Sequence, residues 1–269
     1  MIRRNPALIV GGVIVATLAV IAVIGPIAIQ ADPLAIDLSH AFARPSLAHW
    51  LGCDSIGRDV LARILRGARL SLTVAIVVVA FSLIVGSLIG GSAALAGGSV
   101  DNLVMRAVDI VMAFPGFLLA IALAAILGPG LADLMIALTA MGWTGYARLV
   151  RGEVLALRER EYIAAARALG ADGRRLLLRH LLPGVAGPLA VRATFGMGGI
   201  IVAEAALSFL GLGVPAPAPS WGNMLQAGQP FMLVAPYLTT APGIAIGFAV
   251  LGFNLLGDGL AQAIGERQS

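Results

Sequence analysis

Residues 7–29 read ALIVGGVIVATLAVIAVIGPIAI, without a charged or amide side chain. At about 1.5 Å per residue a helix of this run is about 34 Å long, enough to cross a hydrocarbon core about 30 Å thick. The run exceeds the roughly 7–15 residues of a signal-peptide core, and no Ala-x-Ala cleavage site follows it directly, so it reads as a retained transmembrane helix. Further apolar runs near residues 70–96, 103–127, 131–149, 186–207 and 237–257 are separated by Gly, Pro or charged segments, which predicts six transmembrane helices. The composition agrees: of 269 residues 59% are hydrophobic and 12% charged, with a mean hydropathy of +0.96. An ordinary soluble domain is about a quarter charged. The chain is therefore an all-α polytopic membrane protein, neither a soluble globule nor disordered.

All 18 basic residues are arginine, against 14 acidic ones, for a net charge of +4. Without a lysine the chain cannot carry a Walker A loop, whose lysine reaches the phosphates, so any ATP-driven work is powered by a partner. The single cysteine, Cys53, excludes an internal disulfide and a thiolate-rich metal site and reads as a small loop side chain. Six spans put both termini on one side. Arg3, Arg4, Arg106, the group from Arg148 to Arg179, and Arg267 then share that side, while Arg44, Arg58, Arg63, Arg66 and Arg69 lie opposite with Asp32, Asp37, Asp54 and Asp59. The positive-inside rule places both ends in the cytoplasm. Residues 57–70 suit a short amphipathic helix on the outer face, with Val60, Leu61, Ile64 and Leu65 toward lipid or protein.

Helix packing in lipid relies on small residues that let backbones approach. Ser82, Gly86 and Gly90 recur every four residues in the second span, and Gly196, Gly198 and Gly199 cluster in the fifth; they read as contact faces or as positions of gating freedom. Pro115-Gly116 and Pro242-Gly243 predict kinks. Asp109 stands one turn from Arg106, where an i,i+3 ion pair is possible. Glu204 lies about 6 Å inside the outer end of its span by the helical rise, and either lines a substrate path or bonds a neighbouring helix. Arg192 and Asp258 are near enough to the inner boundary to snorkel. Ser208, Ser220 and the histidines His40, His49 and His180 show no nucleophile-and-base spacing; the histidines read as loop and helix-end residues rather than metal ligands.

Charge and helical aliphatic spacing coincide in residues 146–184, YARLVRGEVLALREREYIAAARALGADGRRLLLRHLLPG. Ala164, Ala165, Ala166 and Ala168 make a small-residue helix, Gly170 a turn, and Asp172 a cap for a second helix that Pro183 stops after Leu182. The resulting knob, with Arg167, Arg174, Arg175 and Arg179 projecting, suits either a groove on a cytoplasmic partner or anionic lipid headgroups.

The run from Ala164 to Pro183 resembles the EAA loop of the integral membrane subunits of ABC importers: Glu-Ala-Ala, three residues, Gly, nine residues, Ile, one residue, Leu-Pro. Ala165, Ala166, Gly170, Leu182 and Pro183 fall on that spacing, while Ala164 replaces the glutamate and His180 the isoleucine. Those departures match the dipeptide, oligopeptide and nickel permease branch, which favours Ala-Ala-Arg-Ala-x-Gly-Ala and Arg-His-x-Leu-Pro; Gly184 stands where that branch often has asparagine. HWLGCDSIGRDVLARILRGARLSL (49–72), with Cys53 in place of threonine, FPGFLLAIALAAILGPG (114–130), EAALSFLGLGVPAPAPSWGNML (204–225) and FNLLGDGL (253–260) resemble the C-type subunit of that branch.

The resemblance implies a type I importer transmembrane fold, with an N-terminal helix and extracytoplasmic loop over residues 1–69 and a five-helix permease core over 70–269 carrying the coupling loop at about 150–184. It implies a second homologous permease subunit, two cytoplasmic ATPases that bind the ATP and Mg, and an extracytoplasmic substrate-binding protein, with no nucleic acid and with no cofactor or metal held by this chain. The implied coupling residues are Ala164, Ala165, Ala166, Arg167, Gly170, Ala171, Leu182 and Pro183, with Glu204 a candidate for the path. Peptides rank first as cargo, and nickel or another metal chelate second. The alternative from a different class is a self-contained ion-coupled transporter using Glu204 and Asp109, which predicts inverted repeats and midplane polar clusters that the sequence does not display.

Overall fold

In a computed structural model, residues 5–29 and 32–265 are described, and among them all regular structure is helical. Arg3, Arg4 and Arg267, used above for orientation, lie outside the described residues. The first helix, α1 (Pro6–Ala28), starts where the Asn5 side chain accepts the backbone N–H groups of Ala7 and Leu8, with proline at the first helical position. A loop over residues 32–59 leads to α2 (Val60–Ala96), followed by α3 (Gly98–Ala113), α4 (Gly116–Leu127) and α5 (Leu131–Leu157). Then come α6 (Glu161–Ala168), α7 (Gly173–Leu176), a π turn (Leu177–Leu181) and α8 (Leu182–Gly184), and finally α9 (Ala186–Phe209), α10 (Trp221–Gly228) and α11 (Tyr237–Gly265).

Four helices, α1, α2, α9 and α11, are long and apolar enough to cross a membrane, and a fifth span results if α3 and α4 count as one. The remaining expected span, 131–149, lies within α5, which carries Asp133 in its first turn and the less apolar run Gly142-Trp143-Thr144-Gly145-Tyr146.

Several local expectations are corrected. Residues 60–70 are the first turns of α2 rather than a separate surface helix. Helix α2 begins where Asp59 accepts the Ala62 N–H at 2.8 Å, and no proline interrupts its 37 residues. Val60 is buried beside Met224, Ala235 and Leu238, and Leu65 meets Gly25 of α1, so this segment faces protein. The kink foreseen at Pro115-Gly116 is an 82° bend between two helices, because Pro115 cannot continue α3. Helix α11, by contrast, runs unbroken through Pro242. Asp109 pairs with Arg148 of α5 at 2.6 Å, across to the neighbouring helix, rather than with Arg106. Beside that pair Arg151 grips Asp101 with two bonds of 2.7 Å, so both charge pairs clamp α3 to α5.

The most extensive seam joins α2 to α5. A Cβ on Gly86 would come 2.6 Å from the Tyr146 Cβ, and one on Gly90 would meet the backbone of Ala147. The Ser82-Gly86-Gly90 face is thus a packing face. Gly196 and Gly198 also lie against neighbours, Tyr146 and Val250, whereas nothing stands within 4 Å of a Cβ on Gly199. Helices α1 and α11 form a second seam. The molecule has two ends: the loop face, where residues 32–59 pack on α10 and the start of α11, and the opposite face, where α6, α7 and α8 project.

Candidate functional site

The projecting end is built from local rules. Helix α6 is eight residues long and has one buried residue, Ile163, which lies in the main core. It ends in a Schellman arrangement: the Gly170 N–H donates to the Arg167 carbonyl at 2.9 Å and the Ala171 N–H to the Ala166 carbonyl at 3.0 Å. Gly170 sits at φ +84°, in the left-handed region that glycine enters without strain. Asp172 then caps α7, accepting the Arg175 N–H at 2.7 Å. These are the turn and the cap foreseen at Gly170 and Asp172. Pro183 does not stop the second helix, as expected above; it opens α8, where its missing N–H removes no intrahelical bond, and the backbone continues through Gly184.

The projection is fastened from beneath. Leu176, Leu177 and Leu181 are buried, and the Leu177 side chain lies 2.7 Å from where a Gly91 Cβ would stand. The Arg158 Nη1 donates to the Ala94 carbonyl at 3.2 Å, tying the end of α5 to the end of α2. Above this mount Ala164, Ala165, Arg167 and Gly170 are exposed, Ala166 and Ala171 are half-buried, and Leu169 is 88% exposed. Leu182 and Pro183 lie where the chain returns to the bundle. Beside the turn, Asp172, Arg174, Arg175, Leu178 and Arg179 surround an open recess of about 580 Å³. Small side chains allow a partner's backbone to come close, Leu169 offers an apolar plug, and the arginines offer forked donors for carboxylates.

Glu204 is elsewhere and fully buried. Its carboxylate accepts the Ser71 hydroxyl of α2 at 2.8 Å and the Ser208 hydroxyl at 2.9 Å, so it bonds a neighbouring helix.

The 49–59 signature folds the loop face. Asp54 accepts the backbone N–H groups of Ile56 and Arg58 and the Arg58 Nε at 2.7 Å. His49 donates to Asp59 at 2.9 Å, and the Tyr237 hydroxyl donates to the Cys53 or Ala43 carbonyl, pinning the loop to α11. Bonds from the Ser39 hydroxyl and His40 hold the Asp37 carboxyl down at about 2, while burial and the neighbouring carboxylates push the Cys53 thiol up. No group of three or more His, Cys, Asp or Glu side chains suited to a metal ion occurs among the described residues.

One feature was not read from sequence. Arg192 lines a cavity between α2, α5 and α9, and its Cζ lies 6.0 Å from the centre of the Tyr146 ring. An arginine more than a turn inside an apolar helix, followed by Gly196 and Gly199, was the available signal.

With this geometry in hand, comparison with known proteins is specific. The profile described as "Binding-protein-dependent transport system inner membrane component" matches residues 82–269. The dipeptide transport system permease protein DppC of Alkalihalophilus pseudofirmus is 42% identical over 263 residues, covering 98% of this chain and 86% of that protein. The glutathione transport system permease protein GsiD of Pectobacterium atrosepticum is 44% identical over 220 residues, 82% of this chain and 73% of that protein, and GsiD of Shigella sonnei matches to the same extent. An exposed, rigidly mounted projection on a multi-pass helical bundle and a match over most of the chain lead to one conclusion: this protein belongs to the family of inner membrane components of binding-protein-dependent transport systems, as a permease subunit that is not itself an enzyme.

Proposed function

We propose that this permease subunit forms half of the membrane path of an ATP-driven importer of short peptides and that the Ala164–Ala171 projection is its contact with a cytoplasmic ATPase. The observation that carries the reading is the Schellman-closed turn at Gly170, held out from the bundle with its small-residue face and Leu169 uncovered. Ala165, Ala166 and Gly170 give the close contact, Ala164, Arg167 and Ala171 flank it, and Leu182 and Pro183 transmit its displacement to α9. Closure of the ATPases on bound ATP and Mg then tilts the bundle through this lever. The partners are two such ATPases, a second homologous permease and an external substrate-binding protein. Membership in a binding-protein-dependent system supports this assembly over a self-contained ion-coupled transporter.

Peptide cargo is preferred to a metal chelate because the relatives are named for dipeptides and for glutathione, itself a short peptide. Six spans are counted by adding α5 to α1, α2, α9, α11 and the bent pair α3–α4. The projection and both termini then face the cytoplasm, the side its arginines favour. Residues 1–69 carry the N-terminal helix and extracytoplasmic loop and residues 70–269 the permease core, the two joined within α2; the family match, which begins at residue 82, lies wholly in the core. For Glu204 the bonds to Ser71 and Ser208 favour a helix anchor over a path residue.

The test is purification of the tagged chain from its native membrane in mild detergent, with mass identification of what accompanies it, followed by uptake measurement in a Gly170→Glu variant. A second permease and P-loop ATPases are expected with the wild type, and uptake is expected to fall at least about tenfold in the variant, since a β-carbon at φ +84° and a charge both oppose the close contact. An assembly without ATPases after gentle cross-linking, or undiminished uptake, overturns the reading.

A further inference from the structure

Around Arg192 the bundle leaves three polar groups without partners. The Tyr146 hydroxyl and the Ser82 hydroxyl have no hydrogen-bond partner, although these residues are 4% and 1% exposed. Arg192, whose side chain is exposed, makes no ion pair or hydrogen bond among the described residues. All three line one cavity of about 320 Å³. A buried unsatisfied hydroxyl costs about 1–3 kcal/mol, and an ionisable side chain within a membrane helix is retained chiefly where it meets a ligand or counter-charge.

Glycine lets these groups pack close against the neighbouring helix backbones. A Cβ on Gly142 would stand 2.6 Å from the Ser82 Oγ, one on Gly145 2.7 Å from the Arg192 Nη2, and one on Gly196 2.5 Å from the Tyr146 hydroxyl. A second cavity of about 320 Å³, reaching the α3–α4 bend at Phe114, shares Met141, Gly142 and Arg192 with the first, so the Arg192 side chain borders both. Arginine is donor-only, and no carboxylate lines either cavity. The remaining wall, including Val79, Phe195 and Ile200, is apolar.

We propose that Arg192 forms a carboxylate-binding station in the membrane groove, where the free carboxylate of a peptide in transit is held by the guanidinium, with Tyr146 and Ser82 in the wall behind it, while its side chain rests on the apolar wall. The anion site stands on geometry alone; its assignment to a peptide in transit rests on the importer reading.

Gly199 lines the same cavity and has room for a side chain, which supplies the test. In the assembled importer, in nanodiscs of zwitterionic lipid, a Gly199→Cys variant is labelled with the anionic sulfonatoethyl methanethiosulfonate and with its cationic trimethylammonium analogue. The parent chain, whose Cys53 is fully buried, is the blank. The anionic-to-cationic rate ratio is expected to fall by about tenfold when Arg192→Gln is added, the size expected for removing one unit charge a few ångströms away. Alanyl-alanine is expected to slow labelling in the Arg192 background, and alanyl-alanine amide to leave it unchanged. A ratio indifferent to Arg192→Gln, a thiol that does not label, or protection that is absent or equal with the amide overturns the proposal. Uptake of alanyl-alanine by the wild type is measured alongside: its absence overturns the peptide reading, while the rate ratio still reports the anion site.

Discussion

Cys53 shows how a single residue is set by distant chain. Its side chain has no solvent exposure, and burial together with Asp59, Asp54 and Asp37 raises its thiol above the ordinary range. Both effects suppress the reactive thiolate. The native chain is therefore expected to react with N-ethylmaleimide at pH 7 more than roughly tenfold slower than the denatured chain, followed by intact mass; equal rates would mean that the loop is open. That Cys53 is a small loop side chain was legible from sequence, but its burial was not, because the loop closes against α11, whose Tyr237 hydroxyl donates to the Cys53 carbonyl from 184 residues away. The same reason explains Asp109: an i,i+3 partner is visible in sequence, whereas Arg148 lies 39 residues on and is brought near only by α3 packing against α5.

Among elements, those governed by local chemistry were read best. The α6 turn at Gly170 and the α7 cap at Asp172 depend on residues within a few positions of each other, so their spacing contains the answer. The bend between α3 and α4 reaches 82°. Pro115 announces a break, but its angle is set by neighbours such as Met141, whose sulfur lies 2.9 Å from where a Gly116 Cβ would be. The join of residues 60–70 to α2 was likewise hidden, since arginines at the start of a span resemble a surface helix until Val60 and Leu65 are seen to face protein. The projection proposed as the ATPase contact then hangs on one side chain. An eight-residue helix is not stable alone, and Ile163 is the only buried residue of α6. Ile163→Ala removes about 2–5 kcal/mol of burial and packing. On the proposed coupling role it is expected to lower cargo-stimulated ATP hydrolysis several-fold while permease and ATPase still co-purify, because the proposed contact face keeps its chemistry but loses its mount. Loss of co-purification together with loss of the folded chain would instead make Ile163 part of the general core.

At the scale of the molecule, the first and last long helices close on each other through glycine. A Cβ on Gly11 would come 2.7 Å from the backbone carbonyl carbon of Leu255, one on Gly252 would strike Ile14, and one on Gly259 would lie 2.5 Å from the Leu8 Cα. The Asn5 side chain donates to the Gly259 carbonyl at 3.3 Å and to Gln262 at 2.8 Å, fixing the register of the seam at one end. In lipid such a seam holds by close contact rather than by hydrophobic drive, so its strength depends on keeping the backbones near. A rigid backbone cannot rotate aside as a side chain can. Gly11→Leu must therefore separate α1 from α11, at a cost of about 1–3 kcal/mol by the usual penalty for overpacking. The adjacent Gly12 has nothing within 4 Å of a Cβ, so Gly12→Leu adds the same apolar bulk to the same helix on an open face. In detergent, with fluorescence-detected size exclusion after a heating series, the Gly11 variant is expected to lose its folded peak at a clearly lower temperature than the wild type and the Gly12 variant to match it. Equal midpoints for the two variants would show that α1 does not dock on α11 through this face. A lowered midpoint for Gly11→Leu with cargo-stimulated ATP hydrolysis intact at low temperature would assign α1 to holding the bundle together, separate from the lever proposed at Gly170.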